Sequence, residues 1–125
     1  GEPTLYILSY LTTALKTNGI EIAIETSGTN PLRGEISWVT FSPKKFKAPL
    51  EDYYQFSDEL KVVVYHPSDL KWAEEHAGKM KSNCRFYLQP EWSKMDELMP
   101  EILNYIKLNP KWNLSLQSHK FINIP

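Results

Sequence analysis

The order of apolar and polar residues along the chain predicts helices that alternate with short strands. Leucines recur at intervals of three and four over residues 4–17, which is the spacing of one helix face, and Asn18-Gly19 supplies a stop. The leucines of this predicted apolar face are Leu5, Leu8, Leu11 and Leu15. The first part of the chain is therefore predicted to form one amphipathic helix.

Two more helices are predicted over residues 68–80 and 93–106. In the second of these, Ser93 and Asp96 match a capping box, which is typical of a helix start. Pro100 lies inside the apolar pattern and predicts either a kink or a late start, because proline lacks the backbone N–H that a helix interior uses.

Five short apolar segments, each bounded by turn residues, predict strands. These segments cover residues 21–26, 36–42, 60–65, 85–88 and 112–116. Because helices alternate with strands over the second half of the chain, we predict the α/β class with a parallel sheet and right-handed crossovers. The length of 125 residues predicts a single domain over residues 1–125.

The charge of the chain excludes several classes of partner. Lys and Arg number 14 and Asp and Glu 15, a net charge of −1, so there is no basic footprint for nucleic acid or for an anionic membrane surface. The apolar runs are far too short to cross a bilayer, and no secretory signal pattern is present. We therefore expect no nucleic-acid partner, no membrane partner and a cytoplasmic location.

The chain also lacks the common motifs of catalysis. A single cysteine, Cys84, excludes an internal disulfide and a cysteine-based metal cluster within this chain. No Gly-x-Ser-x-Gly elbow, phosphate-cradling glycine loop or zinc signature occurs. His66 and His76, beside a turn and on a predicted helix, are interpreted as structural. We therefore predict no catalytic residue and no metal ligand in this chain.

Polar side chains recur where the predicted strands end, which is where parallel sheets place ligand-binding residues. Glu25 ends the first strand, and its carboxylate can accept N–H donors of a heterocycle or simply end the strand with a charge. Ser42-Pro43-Lys44 offers a hydroxyl and an ammonium to an anionic group, although an ordinary solvated turn is the more common interpretation. Gln89 offers an amide to a planar ligand edge. His119 is the histidine best placed for a ligand, although a histidine alone is more often a surface group.

Taken in order, these segments resemble the C-terminal part of radical S-adenosylmethionine enzymes, and most of all the 7-carboxy-7-deazaguanine synthase family. Gly1-Glu2-Pro3-Thr4-Leu5 resembles the family's Gly-Gly-Glu-Pro motif without its first glycine. Residues 22–29 resemble its Glu-Thr-Asn-Gly-Thr segment, with Ser27 at the Asn position. The other matching segments are Ser42-Pro43-Lys44, Glu59-Leu60-Lys61, Leu88-Gln89-Pro90 and residues 114–120. Each match is short, but the ordered set spans nearly the whole chain.

The resemblance implies a fold, a chemistry and a set of binding residues. It implies part of a partial (β/α) barrel that works with S-adenosylmethionine, a [4Fe–4S] cluster and magnesium. The implied substrate is the small molecule 6-carboxy-5,6,7,8-tetrahydropterin, which the family converts to 7-carboxy-7-deazaguanine in queuosine biosynthesis. The implied S-adenosylmethionine-binding residues are Gly1, Glu2, Ser42, Lys44 and Gln89. The implied pterin-binding residues are Glu25, His119 and Pro125, the last through its terminal carboxylate.

The chain departs from the family in its cysteines. The family carries three cysteines before the Gly-Gly-Glu-Pro motif, whereas this chain begins inside that motif and has one cysteine elsewhere. Because three thiolates hold the cluster, we expect a C-terminal fragment that is inactive alone and retains at most weak S-adenosylmethionine binding. The open sheet edge of such a fragment predicts a homodimer. Two other hypotheses remain open: an activase for a glycyl-radical enzyme, and a non-catalytic α/β binding domain.

Overall fold

A computed structural model describes residues 1–117, which fall into two compact units. Of the described residues, the first unit comprises residues 1–60 and 80–84, and the second comprises residues 61–79 and 85–117. The helices are α1 (Ser9–Thr17), α2 (Tyr53–Phe56), α3 (Asp69–Ala77) and α4 (Met95–Leu108). The strands are β1 (Ala23–Thr26), β2 (Trp38–Phe41), β3 (Glu59–Val64), β4 (Arg85–Pro90) and β5 (Trp112–Leu114).

The first unit is built on parallel pairing of β1, β2 and the start of β3. Glu25 lies opposite Thr40, and Thr40 lies opposite Glu59 in the next pair. Along β1 and β2, every second side chain is buried, which is the period-2 pattern of a strand with one packed face. The buried apolar side chains of this unit are Ile24, Val39, Phe41, Tyr53, Tyr54, Leu60 and Cys84.

The second unit contains the rest of β3, followed in the sheet by β4 and β5. β4 and β5 are parallel, with Leu88 opposite Leu114, and α4 packs on both. A polar cluster connects α3 to α4 and β5. Glu74 in α3 accepts hydrogen bonds from Tyr105 Oη in α4 at 2.5 Å and from Trp112 Nε1 in β5 at 2.7 Å. The strand pairs are parallel, and helices alternate with strands from β2 onward, so the predicted α/β class with a parallel sheet is confirmed.

The predicted helix over residues 4–17 is wrong in its first half. Pro3–Leu5 forms a separate 3₁₀ turn, Tyr6 is extended at φ −115° and ψ 151°, and α1 begins only at Ser9. The Glu2 side chain caps the start of this turn by accepting a hydrogen bond from the Thr4 N–H. Residues 3–5 are thus held by Glu2 rather than by the following helix.

The predicted apolar face of this helix is wrong for two of its four leucines. Leu5 is 66% exposed and Leu11 is 55% exposed, whereas Thr12 is 2% exposed. Thr12 can be buried because its hydroxyl donates to the Ser9 carbonyl at 3.1 Å and accepts from the Glu35 N–H at 3.0 Å. The packed face of the segment thus consists of Thr12 with the half-buried Leu8 and Leu15, without Leu5 and Leu11.

The other elements lie close to their predicted positions, with two corrections. The capping box at Ser93 does not form: Glu91 caps a 3₁₀ turn over Trp92–Lys94, and α4 follows from Met95. α4 then continues through Pro100, its sixth residue. The short helix α2 was not predicted, because its four residues lie in a polar and aromatic segment without helical periodicity.

Within residues 1–117, no helix is long and apolar enough to cross a membrane.

Two glycines with similar backbone conformations allow the packing of the loop after β1 to be tested, because only Gly28 lies in that loop. Gly28 and Gly19 have φ of +75° and +74°, but a Cβ at Gly28 would lie 2.8 Å from Phe41 Cε1, whereas a Cβ at Gly19 meets nothing within 4 Å. We expect Gly19→Ala to lower the free energy of unfolding by about 1 kcal/mol through backbone strain alone. Gly28→Ala should lower it by about 3 kcal/mol, because overpacking adds to the same strain. Urea unfolding of both variants measures the difference, and equal losses would contradict the packing shown here.

Candidate functional site

A cavity of about 400 Å³ lies in the first unit, where β1 and β2 end. It is within the size range of small-molecule sites. Five of the eight predicted binding residues line it: Gly1, Glu2, Glu25, Ser42 and Lys44. These residues come from three separate segments of the sequence. The parallel pairing of β1 with β2 brings two of those segments together, since both strands end at the same edge.

The Glu2 carboxylate is the most heavily hydrogen-bonded group at the cavity. Its Oε1 accepts from Thr4 N at 3.1 Å, Thr4 Oγ1 at 2.5 Å and Thr26 Oγ1 at 2.6 Å. Its Oε2 accepts from Ser27 N at 2.9 Å and Ser27 Oγ at 2.8 Å. A carboxylate has about four lone-pair positions, so five donors saturate it. Glu2 therefore fixes the end of β1 against the N-terminal turn.

These hydrogen bonds also determine the protonation state of Glu2. Burial by itself would raise its pKa, but the hydrogen bonds from Thr26, Thr4 and Ser27 favour the ionised form and hold the pKa at about 2. Glu2 is therefore negatively charged at neutral pH and supplies a fixed anion to the wall of the cavity.

Ser42 presents a buried hydroxyl beside this anion. Its backbone N–H extends the ladder by donating to the Thr26 carbonyl at 2.8 Å, which fixes the residue just beyond β2. The side chain is 2% exposed, yet within residues 1–117 its Oγ has no hydrogen-bond partner. A buried hydroxyl without a partner is costly, so a ligand group that hydrogen-bonds to it would be favoured.

The turn that follows carries three lysines, two of which line the cavity. Lys44 and Lys47 both line the cavity and pair with each other through an antiparallel backbone bridge. Neither ammonium forms an ion pair with an acidic side chain in the described part of the chain. Two exposed ammonium groups at the rim, with the Ser42 hydroxyl below, suit a ligand that carries an anionic group such as a carboxylate.

The other four predicted residues are Glu25, Gln89, His119 and Pro125. Glu25 ends β1 on its exposed face and lines the cavity. Gln89 belongs to the second unit, where it is buried near the end of β4 and its Oε1 accepts from Ser115 Oγ at 3.2 Å. His119 and Pro125 lie outside the described residues.

Neither the cysteine nor the two described histidines form a metal site. Among residues 1–117, no group of three His, Cys, Asp or Glu side chains could hold a metal ion. Burial raises the pKa of the Cys84 thiol to about 11, so the thiolate that binds metals is disfavoured. His66 Nδ1 lies 2.9 Å from Ser68 Oγ, and the His76 ring stands edge-on to Trp72 at 4.7 Å between centroids.

Several residues of the cavity were missed by sequence reasoning. Thr26 and Ser27 hold Glu2, and Phe46 and Lys47 complete the rim. Side chains alternate along β1, so the pattern that exposes Glu25 also buries Thr26. A buried hydroxyl next to a predicted site residue could therefore have indicated that Thr26 belongs to the site. For Phe46 the only signal was its place two residues after Lys44.

Comparison with known proteins supports the resemblance inferred from the motifs. Over 125 residues the chain is 45% identical to the 7-carboxy-7-deazaguanine synthase of Flavobacterium psychrophilum, covering 100% of this chain and 60% of the relative. It is 39% identical to the enzyme of the same name from Synechocystis sp., covering 99% of this chain and 59% of the relative. No family model matches the chain. The chain is a homologue of the 7-carboxy-7-deazaguanine synthases.

Structural comparison leads to the same group of proteins. The crystal structure of QueE from Escherichia coli matches with a TM-score of 0.82 and 30% sequence identity, covering 94% of this chain and 54% of QueE. The resemblance to 7-carboxy-7-deazaguanine synthases predicted from the sequence is therefore confirmed, together with the fold class. The chain spans about 60% of the length of the curated relatives named above.

The saturated carboxylate of this synthase homologue predicts a particular dependence of stability on pH. The pKa of Glu2 falls from an ordinary value of 4.5 to about 2 on folding, so the ionised carboxylate stabilises the native state above pH 4.5. That stabilisation is lost as the pH falls through about 2. We expect Glu2→Gln to lower the free energy of unfolding at pH 7, with a gap to the unsubstituted protein that narrows between pH 4.5 and pH 2.

Urea unfolding at pH 7, 4 and 2.5 measures this gap. Glu21→Gln is the matched control, because Glu21 is exposed, lies just before β1 and, among residues 1–117, has no hydrogen-bond partner for its carboxylate. A Glu2→Gln variant as stable as the control at pH 7 would contradict the role assigned to this carboxylate.

Proposed function

We propose that this chain supplies binding residues for both ligands of a radical S-adenosylmethionine 7-carboxy-7-deazaguanine synthase. The reaction is conversion of 6-carboxy-5,6,7,8-tetrahydropterin to 7-carboxy-7-deazaguanine, a lyase step of queuosine biosynthesis. One observation carries the proposal: three motifs far apart in the sequence, at Gly1-Glu2, Glu25 and Ser42-Pro43-Lys44, meet at one cavity. The names of the relatives favour this activity over a glycyl-radical activase and over a non-catalytic domain.

Ser42 and Lys44 are the proposed contacts for S-adenosylmethionine. The unpartnered Ser42 hydroxyl is suited to a hydrogen bond with a ligand, and the Lys44 ammonium is suited to an anion such as the carboxylate of the methionine part. These groups fit the cofactor, whose hydroxyls and carboxylate supply the matching acceptors. In this superfamily the bound cofactor supplies hydrogen-atom abstraction.

Gly1 and Glu2 are the proposed surroundings of the methionine amino group. Because the oxygens of Glu2 are saturated by five protein donors, its contribution is the fixed negative charge rather than a free lone pair. An anion with a pKa of about 2 stays ionised at any physiological pH and attracts an ammonium group in a partly buried cavity.

Glu25 is the proposed contact for the pterin. Its carboxylate lies on the exposed face of β1 at the same cavity and can accept the paired N–H donors of the amidine-like edge of a pterin. Gln89 as a cofactor contact, and His119 and Pro125 as pterin contacts, stay predictions from the resemblance.

The described residues do not fit the iron–sulfur cluster. The chain has one cysteine, which is buried with a raised pKa, and the described part of the chain holds no set of metal ligands. We therefore derive no step of the reaction through the cluster on this chain. Magnesium, a cytoplasmic location and a homodimer stay predictions.

Titration of each variant with both ligands tests which residues bind the cofactor and which bind the substrate. Calorimetry with S-adenosylmethionine and with 6-carboxypterin, a stable oxidised analogue of the substrate, measures each affinity for the full chain. We expect Lys44→Ala to weaken S-adenosylmethionine binding by about tenfold, the size of a lost charge-assisted hydrogen bond, and to leave 6-carboxypterin binding unchanged. Glu25→Gln should show the opposite pattern.

Lys107→Ala is the control for a lost surface charge, because Lys107 is exposed in the last turn of α4. It should leave both affinities unchanged. Failure of the unsubstituted chain to bind either compound would overturn the proposed function. Equal weakening of both ligands by each variant would overturn the division of roles.

A further inference from the structure

Phe46 is a large aromatic side chain left almost entirely in solvent. It is 88% exposed, and it is one of the residues that line the cavity at the ends of β1 and β2. A single exposed aromatic residue is common on protein surfaces and by itself indicates nothing. Its place at the rim of a cavity lined by polar and charged groups is what makes Phe46 informative.

The backbone holds this ring in a defined place. Lys44 and Lys47 form an antiparallel bridge, so Lys45 and Phe46 are the two central residues of a closed turn. Pro43 precedes the turn and restricts its backbone, and the Ser42 N–H is bonded to the Thr26 carbonyl. Phe46 is therefore carried on a short anchored turn, which lowers the entropy lost when a ligand contacts the ring.

The other groups of the cavity indicate what such a ring would meet. Glu2 and Glu25 contribute carboxylates, Ser42 a hydroxyl and Lys44 an ammonium, all of which bind the polar edges of a ligand. None of them offers an aromatic surface to the flat face of a ring. Among residues 1–117, Phe46 is the one aromatic side chain that lines this cavity. Aromatic rings stack on heterocycles because both have π faces.

We propose that Phe46 stacks on the flat, nitrogen-rich bicyclic heterocycle of a ligand in this cavity and so contributes to specificity for aromatic ligands. This inference rests on the proposed function and adds a residue that none of the motifs contains. Two ligands of the proposed function carry such a heterocycle: S-adenosylmethionine in its adenine, and the substrate in its pterin. The polar side chains fix the edges of the heterocycle, and Phe46 covers its face.

Calorimetric titration of the full chain with S-adenosylmethionine and with 6-carboxypterin tests the inference. Phe46→Ala should weaken binding of one of the two by about tenfold, which is within the range of losses measured for base–aromatic stacking, and the ligand affected identifies the source. Phe46→Trp should restore that affinity, because a larger ring keeps the stacking surface. Tyr10→Ala is the control, since Tyr10 is 90% exposed on α1 and does not line the cavity.

The outcomes separate this inference from the proposed function. If the unsubstituted chain binds and Phe46→Ala binds both ligands as tightly, Phe46 does not stack and the inference fails while the proposed function stands. If Phe46→Leu binds as tightly as Phe46→Trp, apolar cover rather than stacking is at work and the inference also fails. If the unsubstituted chain binds neither ligand, both are overturned. Circular dichroism at rising temperature confirms that each variant is folded.

Discussion

The arrangement of the cavity depends on one saturated carboxylate. Glu2 accepts five hydrogen bonds, all from the turn that follows it and from the end of β1. These bonds cap the first turn at its start, fix the Thr26 hydroxyl and orient the Ser27 N–H. Because several donors share one anion, loss of that charge would weaken all of these hydrogen bonds within the same small region. The N-terminal wall of the cavity exists because this charge is satisfied.

The second constraint is the parallel pairing of β1 with β2. Parallel strands end at one edge, so residues that are 17 positions apart, such as Glu25 and Ser42, can line one cavity. The ladder continues beyond both strands through the bond from Ser42 to Thr26. Beyond it, the loop after β1 is held by Leu50 N, which donates to the Gly28 carbonyl at 2.8 Å. Gly28 also lies against Phe41, where no side chain has room. A rigid sheet edge thus carries the groups that a ligand would contact.

Much of this was accessible from the sequence, and the failures have physical causes. Strands were predictable because their alternation and turn residues are local signals, and the order of short motifs indicated the family before any contact was known. The leucine face of α1 was not predictable, since burial of Thr12 depends on a hydrogen bond from Glu35 that lies 23 residues away. The saturation of Glu2 and the rim position of Phe46 likewise depend on how distant segments meet, which periodicity does not record.

The central claim is that the cavity at the ends of β1 and β2 binds S-adenosylmethionine. A titration of the ¹⁵N-labelled chain with S-adenosylmethionine, followed by two-dimensional NMR of the backbone amides, tests it most directly. We expect saturable shifts for the amides of Ser27, Ser42 and Lys44, whereas the amides of Leu98 and Ile102 in α4 serve as internal references. Saturable shifts that leave Ser27, Ser42 and Lys44 unmoved, or no shift at millimolar cofactor, would contradict the claim.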